Sequence, residues 1–359
     1  IFITGVTPIT LDSLTSGFNI ASNLTLEPSL HDLMGFTHDE VLGLLEEVNV
    51  TDEIQRRAIF EELEQWYDGY RFAPNQGLLF NPDMVLYYLA RRGADGSPPE
   101  EMLDTNVASD YRTIERTLSS NEDVGKSLLE ELAEEGETSA KLTRQFSLSR
   151  GFHHDDLASL LFYLGMLTVD SSELKRLRLR VPNRVIDELF WDTVRVFRSE
   201  RIGFDIAVRA IEDVVHQLAR DGEPAPLASL VEQYLSALLS NRDFRGFRES
   251  ELKIAFLMLL HSPRIYLVRS EPEVERGYVD ILLTRRPGIP VPFEHAIELK
   301  YLRSGANDEE VAKAAHEARE QLSRYLEAEE LRDNPRLMSW VVVFRGARCE
   351  IVERFENEK

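Results

Sequence analysis

Three ionisable residues interrupt the two most hydrophobic segments in the last third of the sequence. Asp280 lies within Tyr-Val-Asp-Ile-Leu-Leu, and Glu298 and Lys300 lie within Ala-Ile-Glu-Leu-Lys-Tyr. Both segments read as buried β-strands, where a lone charge is costly unless it is paired or binds a metal. Each of the three side chains is therefore expected to have a partner charge or a metal ion.

The alternation of strand side chains indicates how such a site forms. Glu298 and Lys300 are two residues apart and point to the same face, and antiparallel pairing can bring Asp280 beside Glu298. Two carboxylates on one face suit Mg²⁺ or Mn²⁺, which prefer oxygen ligands. A neighbouring lysine can stabilise or activate a water that attacks a phosphate. The alternative interpretation is a cross-strand ion pair with no metal.

Residues 240–359 alternate helix and strand signals in the order α-β-β-β-α-β-β. The first helix is apolar on nearly every side and is expected to be buried. The predicted elements are a helix over Glu249–Leu260, strands over Arg264–Ser270, Tyr278–Leu283 and Phe293–Tyr301, a helix over Asp308–Glu330, and strands over Ser339–Phe344 and Cys349–Glu353.

This order, with Asp on the second strand and Glu-x-Lys on the third, resembles the PD-(D/E)XK nuclease superfamily. The resemblance implies a restriction-endonuclease-like fold, Asp280 and Glu298 as metal ligands and Lys300 as the catalytic lysine. Members often add a glutamate from the first helix. Glu249 and Glu251 are both candidates, and Glu249 is favoured because it shares a helical stripe with apolar residues one turn on.

The segment Gln321-Leu-Ser-Arg-Tyr325 resembles the Gln-x-x-x-Tyr signature of the RecB-like branch of these nucleases. A spacing of four places both side chains on one helical face. By that likeness, Gln321 contacts the metal-site residues or a phosphate and belongs to the catalytic set.

Residues 1–95 resemble the C-terminal part of AAA-ATPase-like domains, with an α/β piece and a helical lid. The resemblance implies that the first strand follows the Walker B strand and that Thr4 is a sensor near a γ-phosphate. It is carried by Phe2-Ile3-Thr4-Gly5-Val6, Ser16-Gly17-Phe18-Asn19, Gly35-Phe36-Thr37, Tyr67-Asp68-Gly69-Tyr70-Arg71-Phe72 and Asn81-Pro82.

The sequence contains no Gly-x(4)-Gly-Lys-Ser/Thr, the loop whose backbone N–H groups cradle phosphate. The nearest match, Gly125-Lys126-Ser127, has Ser120 in place of the first glycine and lies in a polar helical stretch. We therefore expect upstream sequence to be missing from the ATPase-like part. This chain is expected to bind ATP only when that part is present.

Helices are also predicted across the first 239 residues. Thr37 is the expected N-cap of a helix over Asp39–Val48, and Thr51 that of a helix over Glu53–Tyr67. Asn81-Pro82 begins another helix, which runs to Arg92.

Residues 96–239 form a third, mainly helical region. Its apolar helix Leu157–Leu167, followed by an alternating strand over Leu177–Val181, suggests a winged-helix-like unit. Another helix is expected over Leu227–Leu239. Before this region, the sequence predicts three aromatic core residues: Trp66, Tyr67 and Tyr70.

Histidines offer weaker candidates for a site. His153-His154-Asp155-Asp156 reads as the polar first turn of a helix, in which the aspartates favour the helix dipole. His295 and His316 lie near the proposed centre in the sequence, but a lone histidine is more often structural.

The net charge of −22 is concentrated in the first 240 residues, because residues 241–359 contain 20 Lys and Arg against 22 Asp and Glu. A nearly neutral domain can still present a basic groove, so nucleic acid remains the expected partner, with DNA favoured over RNA. The acidic residues 1–240 favour protein partners or self-association.

One cysteine, Cys349, excludes a disulfide framework, and no apolar run is long enough for a membrane span. An intracellular protein of the cytoplasm or nucleus is expected. The leading hypothesis is a Mg²⁺-dependent nuclease regulated by an ATPase module. The alternative is a signalling-type NTPase whose nuclease-like domain binds nucleic acid or protein without cleavage.

Overall fold

The chain divides into two compact units, Ile1–Thr193 and Val194–Lys359. Thr4, the first predicted strand and the Ser16–Asn19 motif lie outside the described residues. The computed structural model describes residues 24–93, 97–99, 101–103, 114, 117–118, 121–143, 146, 151–203, 206–240, 247–274 and 277–356.

The first unit begins with the three helices that the sequence predicts: α1 (His38–Glu47), α2 (Glu53–Tyr67) and α3 (Pro82–Arg91). Thr37 caps α1 through a reciprocal capping box with Glu40. The predicted cap of α2 is wrong by one residue, because the Asp52 carboxylate, not Thr51, accepts the Gln55 N–H at 2.8 Å.

A tight turn follows α2 and requires glycine. Trp66, Tyr67 and Tyr70 are buried, which confirms their assignment to the core. Gly69 between them has φ +112°, and a Cβ at this position would lie 2.0 Å from the Pro182 carbonyl oxygen. No other residue fits there without moving the backbone.

The rest of the first unit contains a three-stranded antiparallel sheet of order β1-β3-β2, with β3 in the middle. The predicted helix over Leu157–Leu167 is shorter at its C-terminal end, because Gly165 takes φ +78° and the Met166 N–H turns back to bond the Leu161 carbonyl. The winged-helix resemblance stays a prediction. The elements are α4 (Glu122–Glu135), β1 (Glu137–Ala140), α5 (His154–Tyr163), β2 (Thr168–Glu173) and β3 (Arg176–Arg180). Helix α6 (Arg184–Ile202) begins in the first unit and ends in the second.

The second unit is built on a five-stranded sheet of order β10-β9-β8-β7-β4. Strands β8 and β9 are parallel, and the other pairs are antiparallel. The predicted order of helices and strands is confirmed, with one added hairpin, β5–β6. The strands are β4 (Tyr266–Ser270), β5 (Glu273–Val274), β6 (Gly277–Tyr278), β7 (Ile281–Arg285), β8 (Glu294–Leu302), β9 (Leu337–Arg345) and β10 (Arg348–Phe355).

Helices cover both faces of this sheet. Helix α9 is buried on nearly every side, as predicted, and its Phe256 ring meets Phe344 of β9 edge-on. Helix α10 packs its alanines and Leu322 on the opposite face, against Leu282, Ala296 and Val341. The helices are α7 (Val208–Asp221), α8 (Ala225–Ser240), α9 (Glu249–His261), α10 (Asp308–Tyr325) and α11 (Glu329–Arg332).

Two predicted elements of this unit are interrupted. The predicted strand over Tyr278–Leu283 is split, because residues 277–278 pair with β5 whereas the strand that joins the large sheet starts at Ile281. The predicted helix to Glu330 stops at Tyr325, since the Ala328 N–H bonds to the Tyr325 carbonyl and closes a turn.

The described helices include none with the length and apolar character that a bilayer crossing requires.

Candidate active site

Asp280 immediately precedes β7 and lies opposite Glu298 on β8. The register pairs Ile281 with Ile297 and Leu282 with Ala296, so extending it by one residue sets Asp280 across from Glu298. The Asp280 Oδ2 atom accepts the Leu299 N–H at 2.8 Å, which fixes the carboxylate against β8. The structure therefore brings together the two carboxylates that the sequence predicts to meet.

Glu298 and Lys300 form an ion pair on the face of β8 that α10 covers. The Lys300 Nζ atom lies 2.9 Å from the Glu298 Oε1 atom, and the two side chains are 16% and 2% exposed. Because both residues are on the face that contains Ala296, the apolar residues Ile297 and Leu299 point into the opposite layer.

Two buried oxygen atoms, one on β8 and one on α10, have no hydrogen-bond donor among the described residues. One is the Glu298 Oε2 atom and the other is the Gln321 Oε1 atom on α10. A buried acceptor without a donor is costly. Both atoms are ligands of the kind that a hard divalent cation takes, so the chemistry of the site fits such an ion.

Glu249 reaches the site from the first residue of α9. Its Oε2 atom accepts the Tyr301 N–H at 3.1 Å, just beyond Lys300 on β8. The alternative, Glu251, is turned away, because its carboxylate pairs with the buried Arg198 at 2.7 Å. Of the two glutamates on this helix, Glu249 is the one beside the centre.

The sequence interpretation missed a second lysine. Lys253 lies one turn after Glu249 on α9, is 12% exposed and forms an ion pair with Glu271. The Glu271 N–H bonds to the Asp280 carbonyl at 3.1 Å, so this pair lies beside the first carboxylate. The spacing of four from Glu249 is a signal from which Lys253 could have been found.

Tyr325 closes the site on the α10 side. Its side chain is buried, and its Cε1 atom would lie 2.5 Å from a Cβ placed on Gly277. Burial, followed by the nearby Glu298 carboxylate, raises the pKa of Tyr325. Gln321, the other member of the predicted pair, lies one helical turn before Tyr325 on α10.

The carboxylates and lysine perturb one another strongly. Burial, with the neighbouring Asp280 carboxylate, raises the pKa of Glu298 to about 7. Burial also raises the pKa of Asp280, although the Leu299 N–H, Lys300 and Lys253 act against it. Burial by itself would lower the pKa of Lys300, but the Glu298 carboxylate, together with those of Asp280 and Glu249, outweighs burial and raises it. Lys300 is therefore an ammonium ion at neutral pH.

Other predicted positions lie away from this centre. His295 is fully buried on the other face of β8, where its Nδ1 atom accepts the Trp340 indole N–H at 3.2 Å, so its role is structural. His316 is exposed on α10 and pairs with Glu320. Residues 125–127 lie inside α4 and form no phosphate loop.

The predicted polar turn before α5 is confirmed. Asp155 and Asp156 occupy the first turn of the helix, and His154 lies 2.8 Å from Glu131.

Among the described residues, one group of three metal-ligand side chains has all its ligand atoms within 4.8 Å, namely His38, Glu64 and Asp68 in the first unit. Glu249, Asp280 and Glu298 are not drawn together that closely.

The second unit thus combines a mixed sheet, an Asp just before one strand, Glu-x-Lys on the next strand and a helix on either face. Residues 247–354 match the family model of the PD-(D/E)XK nuclease superfamily, so the chain carries a domain of that superfamily over this range. The five-stranded sheet fits that fold. A search of curated proteins finds no match to the chain.

Proposed function

We propose that the chain is a divalent-metal-dependent nuclease that hydrolyses phosphodiester bonds, with DNA favoured over RNA. The observation that carries the proposal is the buried Glu298 Oε2 atom, which has no donor among the described residues and lies beside Asp280 and Lys300. A purely structural Glu–Lys pair has no need of a second carboxylate that raises the pKa of the first.

Asp280 and Glu298 would hold Mg²⁺ or Mn²⁺, with Glu249 and Gln321 in reach of its bound waters. When bound, such an ion offsets the charge of the scissile phosphate and lowers the pKa of a water. The Leu299 N–H orients Asp280, and the Lys300 ammonium holds Glu298 by its Oε1 atom, which leaves Oε2 free. Because Lys300 is protonated, it acts by stabilising negative charge on the phosphate and not as a base.

The Gln321–Tyr325 pair supports placing the domain in the RecB-like branch, and the motifs of residues 1–95 support coupling to an AAA-ATPase-like module. Mg²⁺ is the expected ion and ATP a ligand of that module only. The acidic residues 1–240 support protein partners or self-association. An intracellular location is consistent with the single cysteine.

The test is a cleavage assay on single- and double-stranded DNA and on RNA, with Mg²⁺ or Mn²⁺. We expect cleavage by the chain, no cleavage in EDTA, and none by Asp280→Asn. Asp333→Asn is a matched control, because Asp333 is exposed and lies outside the site. Binding of nucleic acid without cleavage by any metal would overturn the proposal in favour of the regulatory alternative.

A further inference from the structure

A second cluster of metal-ligand side chains lies in the first unit and plays no part in the proposed nuclease. His38 is the first residue of α1, and Glu64 and Asp68 are at the end of α2, four residues apart. One ligand atom from each lies within 4.8 Å of the other two. The two helix ends thus converge on a single point.

Two distances in this cluster match the spacing of ligand atoms around an ion. The His38 Nε2 atom is 3.3 Å from the Asp68 Oδ2 atom and 3.5 Å from the Glu64 Oε1 atom. Charge-assisted N–H···O hydrogen bonds are shorter, about 2.7–2.9 Å. Tetrahedral zinc with bonds of about 2.1 Å keeps its ligand atoms about 3.4 Å apart. Both distances fall beside that value.

The electrostatics of the cluster also call for a cation. Asp68 is 6% exposed, and its Oδ1 atom has no hydrogen-bond partner among the described residues. Glu64 places a second negative charge one helical turn away, and like charges at that spacing repel. A buried carboxylate beside another carboxylate is costly unless positive charge lies between them.

The surroundings hold the histidine in place and leave one side open. The Phe80 and Phe60 rings contact the His38 ring with centroids 5.1 and 5.8 Å away. Glu64 is 49% exposed, so an ion can enter from solvent on its side. Aromatic walls on one side and an open carboxylate on the other give a pre-shaped site with an entry path.

We propose that His38, Glu64 and Asp68 bind a divalent transition-metal ion of the zinc type. An imidazole with two carboxylates suits Zn²⁺, whereas Mg²⁺ prefers oxygen ligands alone. The ion fastens the start of α1 to the end of α2 and therefore stabilises the fold of this unit. The site shares no residue with the proposed nuclease centre, so either proposal can fail without the other.

The experiment is a Zn²⁺ titration of the whole chain after EDTA treatment, followed by competition with a chromogenic chelator. Wild type is compared with Glu64→Gln and His38→Gln, which keep the fold because both side chains are partly exposed. Glu61→Gln is the matched control, since Glu61 is an exposed glutamate on the same helix. Zn²⁺ bound elsewhere on the chain is the same in wild type and variants, so the difference in Zn²⁺ binding between them reports on this site alone.

We expect Glu64→Gln and His38→Gln each to lose at least tenfold in Zn²⁺ affinity at one site, and Glu61→Gln to match wild type. Co²⁺ bound in place of zinc should give visible absorption bands that disappear in His38→Gln. Equal Zn²⁺ affinity and stoichiometry in wild type and both ligand variants would overturn the proposal and leave an ion-pair cluster only.

Discussion

The chain holds two groups of acidic side chains with opposite surroundings. Asp280 and Glu298 lie on the sheet of the second unit, where a lysine from the same strand is built into the group. Glu64 and Asp68 lie at a helix end of the first unit, where a histidine supplies the third side chain. A built-in ammonium beside two carboxylates suits chemistry on a phosphate, whereas an imidazole suits a bound transition metal.

The two groups also differ in how their backbone constrains them. Strand pairing fixes the first, because the register of β7 and β8 and the Leu299 N–H set Asp280 across from Glu298. The second depends on where α1 begins and α2 ends, and one of its carboxylates is half exposed. We therefore expect the first group to be rigid and sensitive to pH, and the second to respond to changes at helix ends.

The largest expected effect is that of Lys300→Met, which should impair cleavage at the first group but not metal binding. Lys300→Met should lower the cleavage rate by about 10²-fold or more, because it removes the charge that stabilises the phosphate. Mn²⁺ binding should persist, since the carboxylates remain. Single-turnover kinetics measure the cleavage rate, and a Mn²⁺ titration measures the metal affinity. Lys313→Met, a change at an exposed lysine, serves as the control. Unchanged cleavage in Lys300→Met would contradict the role given to this lysine.

Burial of the first group predicts a dependence of stability on pH. The raised pKa of Glu298, about 7 against 4.5, means that the folded chain holds a proton that the unfolded chain has lost between these values. In EDTA, the contribution of Glu298 to stability therefore falls as pH rises from about 4.5 to 7.

Glu298→Gln should remove this dependence on pH. The unfolding free energy of the variant minus that of wild type should be larger at pH 8 than at pH 5 by on the order of 1–3 kcal/mol. Urea unfolding at the two pH values measures it. A slope that is the same in wild type and Glu298→Gln would break the contrast between the two groups.

The Tyr325 ring beside the first group packs against Gly277, where no side chain is in its way. Gly277→Ala should destabilise the chain by about 1–3 kcal/mol, because φ is +143° and the new Cβ would meet the tyrosine ring. Gly305→Ala is the matched control, since a Cβ there meets nothing within 4 Å. Thermal unfolding of both variants tests this. Equal stability of the two would show that Gly277 does not constrain the ring.

The smallest effect concerns the helix end that carries His38. Thr37→Ala should cost about 1 kcal/mol by removing the capping box of α1, and it should weaken Zn²⁺ binding at the second group. Thr51→Ala makes the same chemical change at a residue that does not cap α2, so it should leave the unfolding free energy unchanged. A larger loss from Thr51→Ala than from Thr37→Ala would reverse this assignment.

The first group could be predicted from the sequence because charges inside apolar strands are conspicuous and strand alternation fixes their face. The side chains of Glu298, Lys300 and Asp280 meet as that pattern predicts. The second group could not be predicted, because His38 is 26 residues from Glu64 in the sequence and only the packing of α1 on α2 joins them.

The interruption of the predicted strand before β7 could not be predicted from the sequence either. Residues 278–283 have one apolar pattern, yet the hydrogen bond from Glu271 and the hairpin at Gly277 divide them in the fold. The pairing of Lys253 with Glu271 depends on the same hairpin region, and local propensity contains no signal for that contact.

Anomalous diffraction from crystals of the chain grown with Mn²⁺ tests the proposed metal centre most directly. We predict a manganese peak within bonding distance of the Asp280 and Glu298 carboxylates, with the Glu298 Oε2 atom as a ligand and Lys300 still on Oε1. The absence of such a peak at saturating Mn²⁺, with both carboxylates held only by protein groups, would contradict it.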